Sequence, residues 1–346
     1  EKCGAFSVKE TCACGGKPAP VRMISFVDAP GHETLMATVI AASSVMDGAL
    51  FVIAANEKCP QPQTAEHLMI LEASGIKNVI IVQNKVDLVT RQRAQDHAKE
   101  IKAFLKGTRF EGAPIVPTAA QAGVNLDILL SAIQEVIPTP DRKTKGEKLR
   151  MHVVRSFDVN KPGTALVKLT GGVLGVAIKT GQLEKGETLE IVPGVLRQRK
   201  NKESYEPIAT TVLDIHAGSS TLDSAGPGGL IAVATDLDPS LSKGDALVGC
   251  LVGKPGTLPQ ASIELSVEIT PMPRLLEKFA STFAQNEPLV LGAGTSTTVG
   301  FVTGMKKKSV HLLLKKPLCV EEGDLIAVMR RSQNRWRLFG TAKKVG

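Results

Sequence analysis

The chain has 346 residues, a hydrophobic fraction of 43% and a formal net charge of +8. That length exceeds one ordinary core, so two or three domains are expected, and no apolar run approaches the ~18 residues of a membrane-spanning helix. The positive balance favours an anionic partner, nucleic acid ahead of membrane, while an aromatic share of 3% argues against reading RNA on stacked aromatic platforms.

In chain order, the first feature is Cys3, Cys12 and Cys14 beside Gly15 and Gly16. This looks like part of a zinc knuckle holding a structural Zn²⁺, with chance cysteines as the competing reading. Three thiolates are one short of a closed site, so a fourth ligand is expected from residues before Glu1. Cys59, Cys250 and Cys319 stand singly and read as buried thiols. No charged-then-apolar leader opens the chain, and a cytoplasmic location is expected.

Strands are expected at Val21–Val27, Ala49–Ala55, Val79–Gln83 and Ala113–Pro117, with helices at Thr64–Ser74, Arg91–Phe104 and Leu126–Val136. Alternation of this kind predicts a parallel α/β sheet, and Asn125 is placed to cap the third helix. Pro138-Thr139-Pro140-Asp141 and the charged stretch to Lys148 read as a linker. Beyond it come short β-rich runs at Met151–Phe157, Ala165–Leu169, Val173–Thr180, Glu187–Val192, Ile208–His216 and Leu230–Thr235. After a break around Lys254–Pro259 further runs follow at Ile263–Ile269, Glu287–Gly292, Thr297–Met305, Ser309–Leu314 and Leu325–Arg330. Two all-β barrels fit this spacing.

Two motifs carry the chemistry. Asp28-Ala29-Pro30-Gly31 follows the first strand and Asn84-Lys85-Val86-Asp87 follows Val79–Gln83, where a parallel sheet places nucleotides. Asp28 suits Mg²⁺ contact through a water, and Gly31 lets a backbone N–H approach a γ-phosphate without a Cβ in the way. Asp87 is suited to accept the two N–H groups on the guanine edge, Asn84 to tie adjacent loops together, and Lys85 to cover the base. The pair predicts an α/β P-loop-type GTPase domain at residues 1–145, followed by barrels at 146–256 and 257–346. Its cofactors would be GTP or GDP and Mg²⁺.

The phosphate cradle G-x-x-x-x-G-K-[ST] is absent upstream of these motifs. Gly15-Gly16-Lys17-Pro18 has Thr11 where the first glycine belongs and Pro18 where the hydroxyl belongs. The expected explanation is that the N-terminal part of the GTPase domain, with its first strand, phosphate loop and switch I, is missing from this chain. A nucleotide-free scaffold subunit is the reading if the cradle is truly absent.

The segments DAPGHETLMATV, AANEKCPQPQTAEH, VIIVQNKVDLV, VRSFDVNKPGT, GPGGLIAVATDLDPSLSKGDAL and NRWRLFG resemble the gamma subunits of archaeal and eukaryotic translation initiation factor 2. The likeness runs from Val21 to the end, and Arg155–Gly163 with Pro60-Gln61-Pro62-Gln63-Thr64 sets it apart from general elongation factors. The resemblance implies a heterotrimer with alpha and beta subunits, binding of methionyl initiator tRNA and delivery to the small ribosomal subunit. Hydrolysis would be assisted by a GTPase activator and no membrane would be involved. An elongation-type carrier of another aminoacyl-tRNA is the alternative.

The same resemblance assigns His32 as the residue that orients the attacking water. It places the last guanine loop at Ile115–Gln121, with the guanine-oxygen contact from the N–H of Ala120 and with Ala119 where a serine is usual. Loss of that serine's brace, worth on the order of 1 kcal/mol, would weaken nucleotide binding and Ala119→Ser would restore it. For tRNA the matching positions are Arg155, Phe157 and the Gly228-Gly229-Leu230 turn. Lys306-Lys307-Lys308 and the group Arg330, Arg331, Arg335 and Arg337 around Trp336 are candidate phosphate contacts.

Overall fold

The computed structural model describes residues 15–17, 19–29, 45–140, 146–199, 202–272, 279–280, 282–306, 308–332 and 335–345. The chain falls into two compact units, one formed by Glu1–Ile24 with Met46–Pro140 and one by Ser25–Val45 with Asp141–Gly346.

In the first unit the elements run β1 (Ala49–Ala54), α1 (Pro62–Ala73), β2 (Val79–Asn84), α2 (Arg91–Leu105), β3 (Ile115–Pro117) and α3 (Leu126–Val136). The strands are parallel in the order β1-β2-β3, with Ile81 opposite Phe51 on one side and Ile115 on the other. The unbroken apolar run of β2 follows from having both faces covered. Val79 and Ile81 pack with Leu68 and Leu71 of α1 and Ile101 and Leu105 of α2. Ile80 and Val82 pack with Val116 and with Ile133 of α3. Pro62 sits in the first turn of α1, where its missing N–H is not needed, and the Thr90 hydroxyl caps α2 by accepting from Arg93 N at 3.2 Å.

Two expectations for this part of the chain fail. The run Val21–Val27 is not a strand: it has no regular structure, and Val21, Met23 and Phe26 are 62%, 74% and 67% exposed. An apolar run becomes a strand only beside a neighbour that takes up its backbone groups, and among the described residues none pairs with it. Asn125 is not a side-chain cap either. Its backbone is left-handed at φ 60°, and its Nδ2 donates instead to Pro117 O at 2.8 Å, bracing the loop before α3.

The second unit holds both barrels. The first contains β4 (Arg150–Phe157), β5 (Val173–Thr180), β6 (Leu183–Glu184), β7 (Thr188–Arg199), β8 (Lys202–Ala217), β9 (Ser220–Leu222), β10 (Ser224–Ala225), β11 (Gly228–Thr235) and β12 (Leu251–Gly253). Its sheet runs β11-β5-β4-β12-β7-β8, and pairing of β8 with β11 closes the ring. Alternate residues such as Met151 and Val153, or Leu174, Val176 and Ile178, point inward. Ala165–Leu169, expected as a strand, is a loop with a 3₁₀ turn at Leu166–Lys168 that leaves Leu166 and Val167 85% and 94% exposed. Asn160 bonds three Thr170 groups and so ties off this loop away from the sheet.

The second barrel is closed in the order β13-β16-β15-β14-β17-β18, with β13 (Ser262–Pro271), β14 (Pro288–Ala293), β15 (Ser296–Lys306), β16 (Ser309–Leu318), β17 (Ile326–Ser332) and β18 (Arg335–Lys344). The sixth strand, β18, is missing from the sequence reading because its opening Arg335-Trp336-Arg337 reads as a basic surface cluster. It slots between β17 and β13, and at Gly340 a Cβ would collide with Thr270 O, so only glycine fits there.

The barrels are joined by a polar seam. Arg150, only 8% exposed, donates from Nε to Glu321 at 2.8 Å and from Nη2 to Thr257 O at 2.6 Å. Beside it, Lys179 pairs with Asp324 at 3.3 Å. His152 lies against the turn at Gly294, where an added Cβ would come within 2.6 Å of its ring.

Burial holds the His152 ring neutral down to about 4, with Lys179 adding to the effect and Asp324 and Glu321 opposing it. The unfolded chain takes up that proton near pH ~6.5 and the native protein only near 4, so unfolding binds a proton in this window. Stability of the two-barrel unit is therefore expected to fall as pH drops from about 6.5 towards about 4, by on the order of 2 kcal/mol, and then level off with respect to this group. His152→Gln should flatten that part of the acid limb in urea midpoints measured against pH; an unchanged limb would contradict this account.

Candidate functional site

The loop after β2 is held by the loop after β3. Asn84 Oδ1 accepts from Thr118 Oγ1 at 3.2 Å and from Ala120 N at 3.1 Å, as the reading of Asn84 as a tie between loops requires. Thr118 N donates to Gln83 O at 2.8 Å and Val86 N to Thr118 O at 3.2 Å, so the two loops are laced on both sides of the asparagine. Lys85 is forced into a left-handed conformation at φ 61°, ψ 36°. For a non-glycine residue this strain is of the kind that persists where surrounding structure over-determines it. It sends the chain into the 3₁₀ turn Val86–Leu88 and leaves Lys85 and Asp87 exposed, with Asp87 in the turn's first positions.

The floor beneath these loops is buried and polar. Gln83, 3% exposed, donates from Nε2 to Ala94 O at 2.8 Å and lies 3.0 Å from His97 Nδ1. Burial pushes the fully enclosed His97 below the usual histidine range, with Arg93 adding and Glu100 opposing. Gln83 and His97 thereby fix the end of β2 to the start of α2. The second loop closes on itself through paired backbone bonds between Ala119 and Val124 and through Ala122 N to Ala119 O at 3.0 Å.

The Ala120 N–H, expected at a guanine oxygen, donates in this structure to Asn84 Oδ1 at 3.1 Å. Ala119 is 2% exposed, and a hydroxyl that does reach across the loops stands one residue earlier, on Thr118. Reading by motif position looks only for the serine and so passes over Thr118.

Asp28 belongs with the second unit and is exposed, its hard carboxylate oxygens suited to Mg²⁺. Gly31 and His32 lie outside the described residues, as do Cys3, Cys12 and Cys14; among the described residues no group of three or more metal-ligating side chains occurs. Cys59 and Cys250 are buried, and burial pushes Cys59 up to about 11, with Glu100 adding to it, as expected of an inert thiol.

The candidate tRNA residues sort unevenly. Arg155 Nε bonds both Asp245 oxygens, at 2.9 and 3.1 Å, and its guanidinium lies 4.9 Å from the centre of the Phe157 ring, which is 37% exposed. Gly228 and Gly229 have φ of 144° and 36° and open β11 at a register shift. The next amide, Leu230 N, donates to Ser25 Oγ at 3.0 Å. Arg335 and Arg337 lie on β18, the first exposed and the second half-buried. Arg330 is corrected: it is not a surface contact. It is 5% exposed, bonds Glu287 at 2.8 and 3.1 Å, and sits 4.5 to 5.6 Å from the ring centres of Phe279, Phe283 and Phe339. A cation enclosed by a carboxylate and three ring faces holds the barrel together.

Residues 7–139 match the family model for the elongation factor Tu GTP binding domain, and residues 263–343 that for the initiation factor eIF2 gamma C-terminal domain. The chain is 49% identical over 347 residues to translation initiation factor 2 subunit gamma of Methanococcus aeolicus, covering 98% of this chain and 84% of that protein. With the corresponding subunit of Archaeoglobus fulgidus it shares 47% over 341 residues, 97% of this chain and 80% of that one. The structure of translation elongation factor SelB from Methanococcus maripaludis, in complex with the GTP analogue GppNHp, superposes with a TM-score of 0.72 at 19% identity, covering 92% of this chain and 70% of that one. This last likeness speaks for the fold. The chain belongs to the family of translation initiation factor 2 gamma subunits, which are translational GTPases.

Proposed function

We propose that this chain is the GTP-binding subunit of a heterotrimeric, cytoplasmic initiation factor that carries methionyl initiator tRNA to the small ribosomal subunit, with GTP hydrolysis timing its release. The observation that carries the reading is the laced pair of loops at Asn84–Asp87 and Thr118–Ala120 on a chain of this family. It is organised as a GTPase domain over residues 1–145 and barrels over 146–256 and 257–346. Asn84, Lys85 and Asp87, with Ala119 and Ala120, make the base site; Asp28 and Gly31 are assigned to Mg²⁺ and the γ-phosphate on their sequence motif alone. Mg²⁺ would supply charge neutralisation at the phosphates. A structural Zn²⁺ on Cys3, Cys12 and Cys14 completes the proposal on the strength of the three thiolates in one short segment.

The tRNA surface of the proposal is Arg155, Phe157, Gly228, Gly229, Arg335 and Arg337. The half-open Phe157 ring, steadied by the Arg155 guanidinium, offers a face on which a terminal base can stack. Alpha and beta subunits and a GTPase activator complete the partners. Among the described residues no helix is long and apolar enough to cross a membrane.

Three outcomes are expected of the full-length protein. Asp87→Ala, which removes a charged acceptor from the base, should raise the Kd for GDP by roughly 10–100-fold in equilibrium titration; an unchanged Kd would remove Asp87 from the site. Protection of methionyl initiator tRNA from deacylation should be strong with a non-hydrolysable GTP analogue and weak with GDP. No protection with either nucleotide would move the scaffold reading to the front, and equal protection of an elongator tRNA would favour the elongation-type carrier. His32→Ala should lower activator-stimulated hydrolysis by roughly a hundredfold or more, while leaving nucleotide affinity intact; an unchanged stimulated rate would end its assignment.

A further inference from the structure

We propose that Arg22 is a clasp at the root of the linker, a positioning residue that ties the segment entering Asp28-Ala29-Pro30-Gly31 to the segment leaving for the barrels, and so passes the nucleotide state on to tRNA binding. The inference rests on the nucleotide-switched carrier reading above and adds to it a residue that lies in neither guanine motif.

The path of the chain sets the problem. It passes between the two compact units at three places, Ile24 to Ser25, Val45 to Met46 and Pro140 to Asp141. Arg22 lies just before the first crossing and Thr139 just before the third. The two are 117 residues apart in sequence, yet Arg22 Nη1 donates to Thr139 Oγ1 at 3.3 Å. One guanidinium therefore holds two of the three exits from the first unit side by side.

The other arm of the fork is seated in the fold. Nη2 donates to Ile133 O at 2.9 Å, a carbonyl of α3 that also accepts from Ile137 N at 3.1 Å. The C-terminal end of a helix favours a cation there. Ile137 is wedged against Gly48, where an added Cβ would come within 2.7 Å of its side chain, so the end of α3 has no room to slide. The guanidinium, whose donors form a rigid fork, spans from this fixed point to Thr139, which Pro138 and Pro140 flank and stiffen. A displacement of Arg22 is carried into Thr139 or breaks the bond.

That displacement has a source. Arg22 stands six residues before Asp28, and the motif it leads into is the one assigned to the γ-phosphate, a kind of segment that is ordered by that contact and released on its loss. Nor is Arg22 fitted for stability alone: its Nε is buried and meets no acceptor among the described residues, a shortfall that an apolar side chain would avoid. Without the clasp, the two exits move independently and the barrels lose part of the signal. The base site keeps its own bonds between the loops after β2 and β3.

The test measures the Kd of methionyl initiator tRNA for the full-length protein loaded with a non-hydrolysable GTP analogue and with GDP, and takes the ratio. In Arg22→Ala the ratio should shrink by roughly 3–10-fold while GDP affinity stays within about twofold of wild type. Thr139→Val, which removes only the linker half of the clasp at an exposed position, should shrink it by roughly 2–5-fold. The double variant should be no worse than Arg22→Ala alone, since both act through one bond. An unchanged ratio in either single variant, equal loss of tRNA in both nucleotide states, or additive effects in the double variant would overturn the proposal. Should Arg22→Ala fail to fold, Thr139→Val carries the comparison. Failure of the carrier reading looks different, because wild type would then show no ratio to lose. The clasp is in that case read from hydrogen exchange of the Ile137 amide, expected to differ between the two nucleotide states in wild type and to become alike in Arg22→Ala; no difference in wild type, or one that survives in the variant, would overturn it.

Discussion

The candidate site depends on a single side-chain oxygen. Asn84 Oδ1 gathers a hydroxyl from Thr118 and an amide from Ala120, and through them two loops that are separate in sequence become one surface. Each bond is worth only about 1 kcal/mol net, but leaving buried partners unpaired costs more than making the bond gains. The left-handed Lys85 shows what this lacing overcomes, since its backbone conformation is unfavourable for a residue with a Cβ. The strain is sustained because β2 is clamped on both faces and cannot shift to relieve it.

The second unit solves a different problem. Two barrels that could each fold around their own core are fastened by Arg150, whose guanidinium reaches both the Glu321 carboxylate and the Thr257 carbonyl of the connecting segment. Arg330 plays the corresponding part inside the second barrel, where three phenylalanine rings and Glu287 enclose it. Both arginines are positive charges that a surface-charge argument would assign to nucleic acid. Their burial, each beside a glutamate, takes both out of any surface that could meet phosphate.

Much of this was legible in the residues, and the failures have physical causes. A run buried on both faces, such as Val79–Gln83, and an amphipathic period such as Leu126–Val136 carry their own evidence, and both appear as elements at or within one residue of the expected bounds. Val21–Val27 is also largely apolar but has no paired neighbour among the described residues, so composition alone misled. Ala165–Leu169 shows the converse: a β-like run that Asn160 ties into a loop. β18 was hidden because Arg335 and Trp336 open a strand whose buried half is Leu338, Phe339 and Ala342. At the site, the tie that Asn84 makes between two loops could be read from its motif, whereas Thr118, which donates to it, sits at a position that a reading by motif passes over.

The most direct test of the account is whether the paired loops read guanine. Calorimetric titration of the full-length protein with GDP and with ADP, in the presence of Mg²⁺, separates recognition of the base from attraction of any nucleotide to a basic protein. One GDP bound per chain, at least a hundredfold more tightly than ADP, is the predicted result. Equal affinity for the two, or no GDP binding, would contradict it.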